Sequence, residues 1–308
     1  MMNLKSLLLK VLQKVRLLMV NKFSLLFNVF KKTSLCAVFS TMLKTVLTTV
    51  LMTTTVSAQI LLTEQFFQGA LIVGKTAPTN KVLLNGKAIK VSANGDYALG
   101  FSRDEKNNSE LVIISPNGAI EKRLLKPLKR EYNIQRIEGI AKKIMNPNKK
   151  ANVRVGQDNK QIAKARKIDS DLTAFAQGFI APIEGIITGV YGSQRYFNGV
   201  PKWPHYGLDY AGKTGDPVKA PADGTVLMFV PDMFYSGGTM IIDHGHGVSS
   251  TFLHLSDSYV KVGDKVRQGQ RVAAVGASGR ATGPHLDWRI NWFNMRLDPA
   301  LVLKLKPL

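Results

Sequence analysis

GTVLMFV, Gly224 to Val230, is a short β-type run, and the chain after it repeats the form in TMIID, Thr239 to Asp243, and QRVAAV, Gln270 to Val275. Short runs rich in Val and Ile, separated by glycine-bearing segments, read as strands joined by tight turns. Eighteen of the 26 glycines fall between Gly178 and Gly283. Residues 179–303 are therefore expected to form a compact antiparallel β domain.

Upstream, residues 59–130 carry shorter strand-like runs: Ala70-Leu-Ile-Val, Lys81-Val-Leu-Leu, Ala88-Ile-Lys-Val and Leu111-Val-Ile-Ile. The turn signals Asn85-Gly86, Asn94-Gly95 and Pro116-Asn-Gly118 separate them. This spacing predicts a small β-sandwich-like accessory module, which holds no histidine and suits a targeting or spacer role. Residues 131–178 turn polar and Lys-rich, with a break at Asn146-Pro-Asn148. Ile162, Ala165, Ile168, Leu172, Phe175, Ala176 and Phe179 then recur at helical spacing, as in a linker with one amphipathic helix packed on a neighbour. The expected fold class is thus mainly β.

Residues 1–58 read as an export segment. Eight Lys or Arg and no acid precede or enter an apolar run, Val46 to Val56, and Val-Ser-Ala58 fits a small-residue cleavage site. Met42-Leu-Lys would itself open a compact signal, so translation from Met42 is an alternative start. An uncleaved anchor is the competing reading, although Lys44 and the threonines interrupt any run of the roughly 20 apolar residues a span needs. After cleavage no stable membrane span is expected, and a periplasmic or secreted location follows. The only cysteine, Cys36, lies in this segment, so the mature chain has no disulfide, thiolate ligand or cysteine nucleophile. Setting aside the eight basic residues leaves +13 of the +21 formal charge, which suits an anionic envelope polymer. The basic residues are dispersed and no nucleic-acid motif accompanies them, which argues against a nucleic-acid partner.

All five histidines, His205, His244, His246, His254 and His285, lie within the Gly-rich region. His205-Tyr-Gly-Leu-Asp209 pairs an imidazole with a carboxylate, and His285-Leu-Asp287 places two more donors on one face of a strand. Nitrogen and oxygen donors of this kind hold zinc where thiolates are absent.

Four ordered motifs, Pro204-His-Tyr-Gly-Leu-Asp209, Asp243-His-Gly-His-Gly247, Thr251-Phe-Leu-His-Leu255 and Gly279-Arg-Ala-Thr-Gly-Pro-His285, resemble the catalytic domain of the lysostaphin-like (LytM-type) zinc endopeptidases of peptidoglycan. The resemblance covers roughly residues 180 to 300. It implies an antiparallel β metallopeptidase domain with a duplicated hybrid motif, one Zn2+ per chain, and peptidoglycan peptides as substrate. It also implies His205 and Asp209 as zinc ligands, and His254 and His285 as catalytic residues flanking the attacking water and the oxyanion. The third ligand position, a histidine in the family, is Asp287 here. Carboxylate oxygen is an acceptable donor at about 2.0–2.2 Å, but a second carboxylate lowers the formal charge of a zinc site from +1 to zero, which would weaken the Lewis acid.

Two readings of Asp287 follow: a working ligand in a variant endopeptidase, or a degenerate site in a protein that binds wall peptides and activates another hydrolase. A third, a structural zinc module, would recruit His244 or His246 as fourth ligand. For these two histidines structural hydrogen bonding is the expectation, with Asp243 as an orienting partner. Trp203, Trp288 and Trp292 are candidates for a substrate groove or for packing, with packing favoured for Trp292. Arg195, Arg289 and Asn291 are candidates to contact a peptide carboxylate.

Overall fold

The computed structural model describes residues 66–139 and 148–308. The export segment, with Cys36 and Met42, lies outside them. Among the described residues no helix is long and apolar enough to cross a membrane.

Two small sheets come first. One pairs β1 (Leu71–Lys75) with β4 (Asp96–Gly100); the other runs in the order β3-β2-β5-β6, from β2 (Lys81–Leu84), β3 (Lys87–Ile89), β5 (Ser109–Ile114) and β6 (Ile120–Leu125). The β2–β3 hairpin turns on Asn85 and Gly86 at φ 50° and 76°. Positive φ at both central residues is what a tight hairpin turn requires, and Asn-Gly supplies it at the lowest steric cost. Phe66, Ile72, Val82, Leu99, Leu111 and Ile113 are buried together between the two sheets.

β7 (Ile134–Ile137) belongs elsewhere: it pairs in parallel with β9 (Gln194–Phe197), which continues into a hairpin with β10 (Val200–Pro201). Between them runs helix α1 (Lys149–Arg166), opened by Asn148, whose side chain accepts the Ala151 amide at 2.9 Å. The helix ends at Arg166, whereas the apolar spacing extended the pattern to Phe179. Tertiary anchors explain the difference. The Ser170 hydroxyl donates to Asp243 at 2.5 Å, and Lys90 holds both the Asp169 carbonyl and the Asp171 carboxylate, at 2.7 Å each. Phe175 and Phe179 therefore enter the core from a non-helical path.

The large sheet holds ten strands, with the central order β16-β13-β14-β15-β18-β11-β8. These are β8 (Ile187–Gly189), β11 (Leu208–Ala211), β13 (Gly224–Met233), β14 (Gly237–Gly245), β15 (Val248–Ser258), β16 (Lys265–Val266) and β18 (His285–Trp292). β12 (Pro217–Lys219), β17 (Arg271–Val275) and β19 (Met295–Leu297) attach to its flanks. All pairings within it are antiparallel. The runs around Gly224, Thr239 and Gln270 are its strands β13, β14 and β17. Their apolar side chains, with Leu208, Phe252, Leu286, Trp288 and Ile290, form the main core. α1 lies over β13, where Ala165 packs with Met228, Met233 and Ile241.

Asp298 joins the two halves. It is 1% exposed, and one oxygen accepts the Ala300 amide at 2.8 Å to start the short helix α2 (Pro299–Val302). The other oxygen takes the Arg130 guanidinium at 2.6 Å. Replacing Asp298 by Asn keeps the cap and breaks the charged pair, so Asp298→Asn should cost about 1–3 kcal/mol of stability. Urea denaturation of the two proteins measures this, and a loss under about 0.5 kcal/mol would show that the pair is dispensable.

Candidate metal centre

The site is built on the pairing of β11 with β18. Antiparallel register sets Asp209 directly opposite Asp287 and Ala211 opposite His285. Side chains two apart on a strand share a face, so His285 and Asp287 both open on the side where Asp209 stands. His205, on the approach to β11, completes the group. Its Nε2 lies 3.0 Å from Asp209 Oδ1 and 3.6 Å from Asp287 Oδ2. Among the described residues, His205, Asp209 and Asp287 are the cluster able to hold a metal ion, and all three are buried.

Hydrogen bonding fixes which atoms face inward. His205 Nδ1 meets the Val190 carbonyl at 3.2 Å. A carbonyl only accepts, so Nδ1 donates to it and Nε2 is the ring atom turned toward the carboxylates. His205 Nε2 and Asp209 Oδ1 are buried and make no hydrogen bond despite their proximity. Once Nε2 gives up its proton, it and Asp209 Oδ1 are two acceptors facing one point, which a cation would satisfy. Donor atoms at about 2.0–2.2 Å around a tetrahedral ion stand roughly 3.4 Å apart, between the two separations found here. Zinc fits this donor set of one nitrogen and two oxygens.

Two glycines make room for the carboxylates. A Cβ on Gly189, the register partner of Asp209, would meet Asp209 Oδ2; one on Gly207 would meet Asp287 Oδ1. Arg195 approaches from β9, with Nη2 3.9 Å from Asp209 Oδ2 and Nε donating to Gln135 on β7 at 3.2 Å.

His254 and His285 face one another beside this cluster, with ring centroids 4.8 Å apart. His254 stands where β15 stops pairing with β18, at Leu253 opposite Asp287, and starts pairing with β17, at Leu255 opposite Val275. Its φ is 63°, a conformation uncommon for a residue with a side chain and often found at functional positions. The bond from its amide to Ser236 O at 2.8 Å holds it there. His254 Nδ1 meets Ser278 O at 2.8 Å and His285 Nδ1 meets Gly283 O at 2.9 Å, so both rings present Nε2. Burial lowers the pKa of His254 and favours its neutral form.

The other histidines serve the core. His244 is fully buried between Asp223 O at 2.7 Å and Ser250 Oγ at 2.8 Å, and burial pulls its pKa down to about 4. His246 stacks on Phe175 at 4.8 Å. Neither belongs to the His205 cluster. Asp243 takes the Ser170 hydroxyl and the Gly245 amide, not a histidine ring. Trp288 is buried, Trp292 packs beside Gly100, and Trp203 is 83% exposed. Asn291 is buried and donates to Met295 O.

Arg289 also has a different partner from the one expected. Its Nε and Nη2 donate to Asp287 Oδ1 at 2.9 Å and Oδ2 at 2.6 Å. Burial would raise the Asp287 pKa, but Arg289 and His205 outweigh it and hold the carboxyl well below its usual range. The two-residue spacing of Asp287 and Arg289 was the available sequence signal for this pair. Nothing in the sequence marked the backbone carbonyls of Val190, Ser278 and Gly283 that orient the three rings.

These features define a metallopeptidase-like site on an antiparallel β scaffold. Residues 203–299 match Peptidase family M23. Similar proteins include the peptidoglycan DD-endopeptidase ShyA of Vibrio cholerae serotype O1, 42% identical over 87 residues, which are 28% of this chain and 20% of that protein. The DD-carboxypeptidase/endopeptidase Mpg of Neisseria meningitidis serogroup B is 42% identical over 98 residues, 32% of this chain and 22% of that protein. The matched part thus spans about a fifth of the length of these curated relatives. The crystal structure of a peptidase M23 candidate from Pseudomonas aeruginosa is 26% identical with a TM-score of 0.61. It covers 77% of this chain and 94% of its own, so the likeness extends well beyond residues 203–299.

In the metal-free protein, burial opposes a charge on His205, yet contact with Asp209 and Asp287 prevails and pushes its pKa up to about 9. A cation bound at Nε2 must displace that proton. Zinc affinity should therefore rise by about tenfold per pH unit up to roughly pH 9 and level off above it. Chelator competition between pH 6.5 and 9 tests this, and a flat profile below pH 8.5 would exclude His205 as a ligand.

Proposed function

We propose that the protein is a zinc-dependent endopeptidase that hydrolyses peptide bonds in the cross-links or stem peptides of peptidoglycan, in the periplasm or as a secreted protein. The observation that carries this reading is the convergence of His205, Asp209 and Asp287 on one point beside the paired rings of His254 and His285. The named peptidoglycan endopeptidases among the relatives support the substrate class, and the basic charge outside residues 1–58 suits an anionic wall polymer.

His205, Asp209 and Asp287 would hold the metal. When bound, zinc supplies Lewis-acid polarisation of the scissile carbonyl and lowers the pKa of water. The chain's own contribution is positioning and proton handling. His254, kept neutral by burial and oriented by Ser278 O, offers Nε2 as the general base. His285, oriented by Gly283 O, faces the same space and is placed to stabilise the developing oxyanion.

A second reading has one specific observation in its favour. The Asp287–Arg289 pair and the placement of His205 between two carboxylates also make a closed ionic network without any metal, as a wall-peptide-binding activator of another hydrolase would tolerate. The two readings differ in their outcomes. As an enzyme, the protein releases peptides from purified peptidoglycan, and His254→Ala lowers that rate by about 10²–10⁴-fold while zinc stays bound. Asp287→Ala removes zinc and hydrolysis together. Wall binding without hydrolysis or zinc in the unaltered protein would establish the activator instead.

A further inference from the structure

Arg289 lies two residues beyond Asp287 on β18, on the same face of the strand and opposite Thr251 of β15. Its side chain is 23% exposed and that of Asp287 is 5% exposed. Each carboxylate oxygen accepts one guanidinium nitrogen, the two-point geometry that fixes a carboxylate in orientation as well as in place. An ionised carboxylate has about four lone-pair sites, so Oδ2 can accept from Arg289 and still face His205 Nε2, 3.6 Å away. The chain leaves space for the pair as a unit: a Cβ on Gly207 would meet both Asp287 Oδ1 and, at 3.1 Å, Arg289 Cγ.

An aspartate reaches less far from its strand than a histidine does, so its donor atom serves a common centre only if the carboxylate is turned toward it. We infer that Arg289 is a positioning residue that makes Asp287 competent as a metal ligand, holding Oδ2 toward the point that His205 Nε2 and Asp209 Oδ1 face. The guanidinium also returns one positive charge to a site with two carboxylates, restoring the +1 that one carboxylate and two imidazoles would leave around zinc. This rests on the zinc endopeptidase reading above.

The two consequences of Arg289 have opposite signs for zinc affinity. A positive charge beside a cation site repels the ion, so its loss alone would tighten binding. Loss of an orienting partner weakens binding, as for other groups that hold metal ligands in place, by about 10–100-fold. The sign of the change therefore reports which role Arg289 has.

Zinc dissociation constants by chelator competition on the full-length protein supply the test, with thermal unfolding of each metal-free variant as a check on folding. Arg289→Met should weaken binding by about 10–100-fold, and Arg289→Lys, which keeps the charge but cannot make the two-point contact, should fall between it and the wild type. In an Asp287→His background, Arg289→Met should cost nothing, because the imidazole does not depend on the guanidinium. Arg289→Met binding as tightly as wild type, or tighter, overturns the inference, as does an equal loss in both backgrounds, the mark of a general structural role. If Arg289→Met fails to fold, wild-type affinity in Arg289→Lys overturns it. A wild type that takes up no zinc overturns the endopeptidase reading and this inference together, an outcome distinct from a failure confined to Arg289.

Discussion

Two carboxylates face each other across one rung of a β-ladder. Asp209 and Asp287 are register partners on β11 and β18, and like charges placed directly opposite on a sheet repel. Buried, the repulsion is stronger than at a surface. The pairing survives because positive or hydrogen-bearing groups close in from three sides: His205 from before β11, Arg289 from the next position on the same face, and Arg195 from β9. Gly189 and Gly207, lacking a Cβ, leave room for the two carboxylates. A cation between the acids would relieve the same repulsion, so the electrostatics that threaten the fold are those that would draw in a metal.

The histidine pair depends on that rung in a second way. β15 follows β18 as far as Leu253, opposite Asp287, and departs along β17 from Leu255. His254 occupies the junction, and its left-handed backbone is the local cost of changing partners within one strand. The ring of His285, the first residue of β18, lies 4.8 Å from that of His254 at this junction. Asp209, His254, His285 and Asp287 thus come from one sheet, with His205 on the approach to it, which limits how far they can drift from one another.

Much of this was legible in the sequence because it depended on local rules. Period-two geometry put His285 and Asp287 on one face, Asn85-Gly86 marked a hairpin, and Val- and Ile-rich runs marked the long strands. What was not legible depended on partners distant in the chain. α1 stops at Arg166 because Lys90, from the accessory sheets, and Asp243, from β14, fasten residues 169–171, a tertiary effect that no helical period contains. Arg289 looked like a surface contact for substrate, since a basic residue near a site reads that way; its burial against Asp287 follows only from the packing of β18. His244 and His246 were separable from the metal site as a class, but the bonds from His244 to Asp223 and Ser250 follow only from the way β13, β14 and β15 pair.

The parallel pairing of β7 with β9 has a consequence for how the protein comes together. β9 carries Arg195 and Phe197, and its hairpin with β10 closes over a few residues, whereas β7 reaches it only after α1 and the residues around it have been bypassed. Loop-closure entropy makes the hairpin the earlier event and the parallel rung a late one. The contact between Arg195 and Gln135 therefore forms later than the hairpin that carries Arg195, and local opening of the native protein should begin along the seam between β7 and β9.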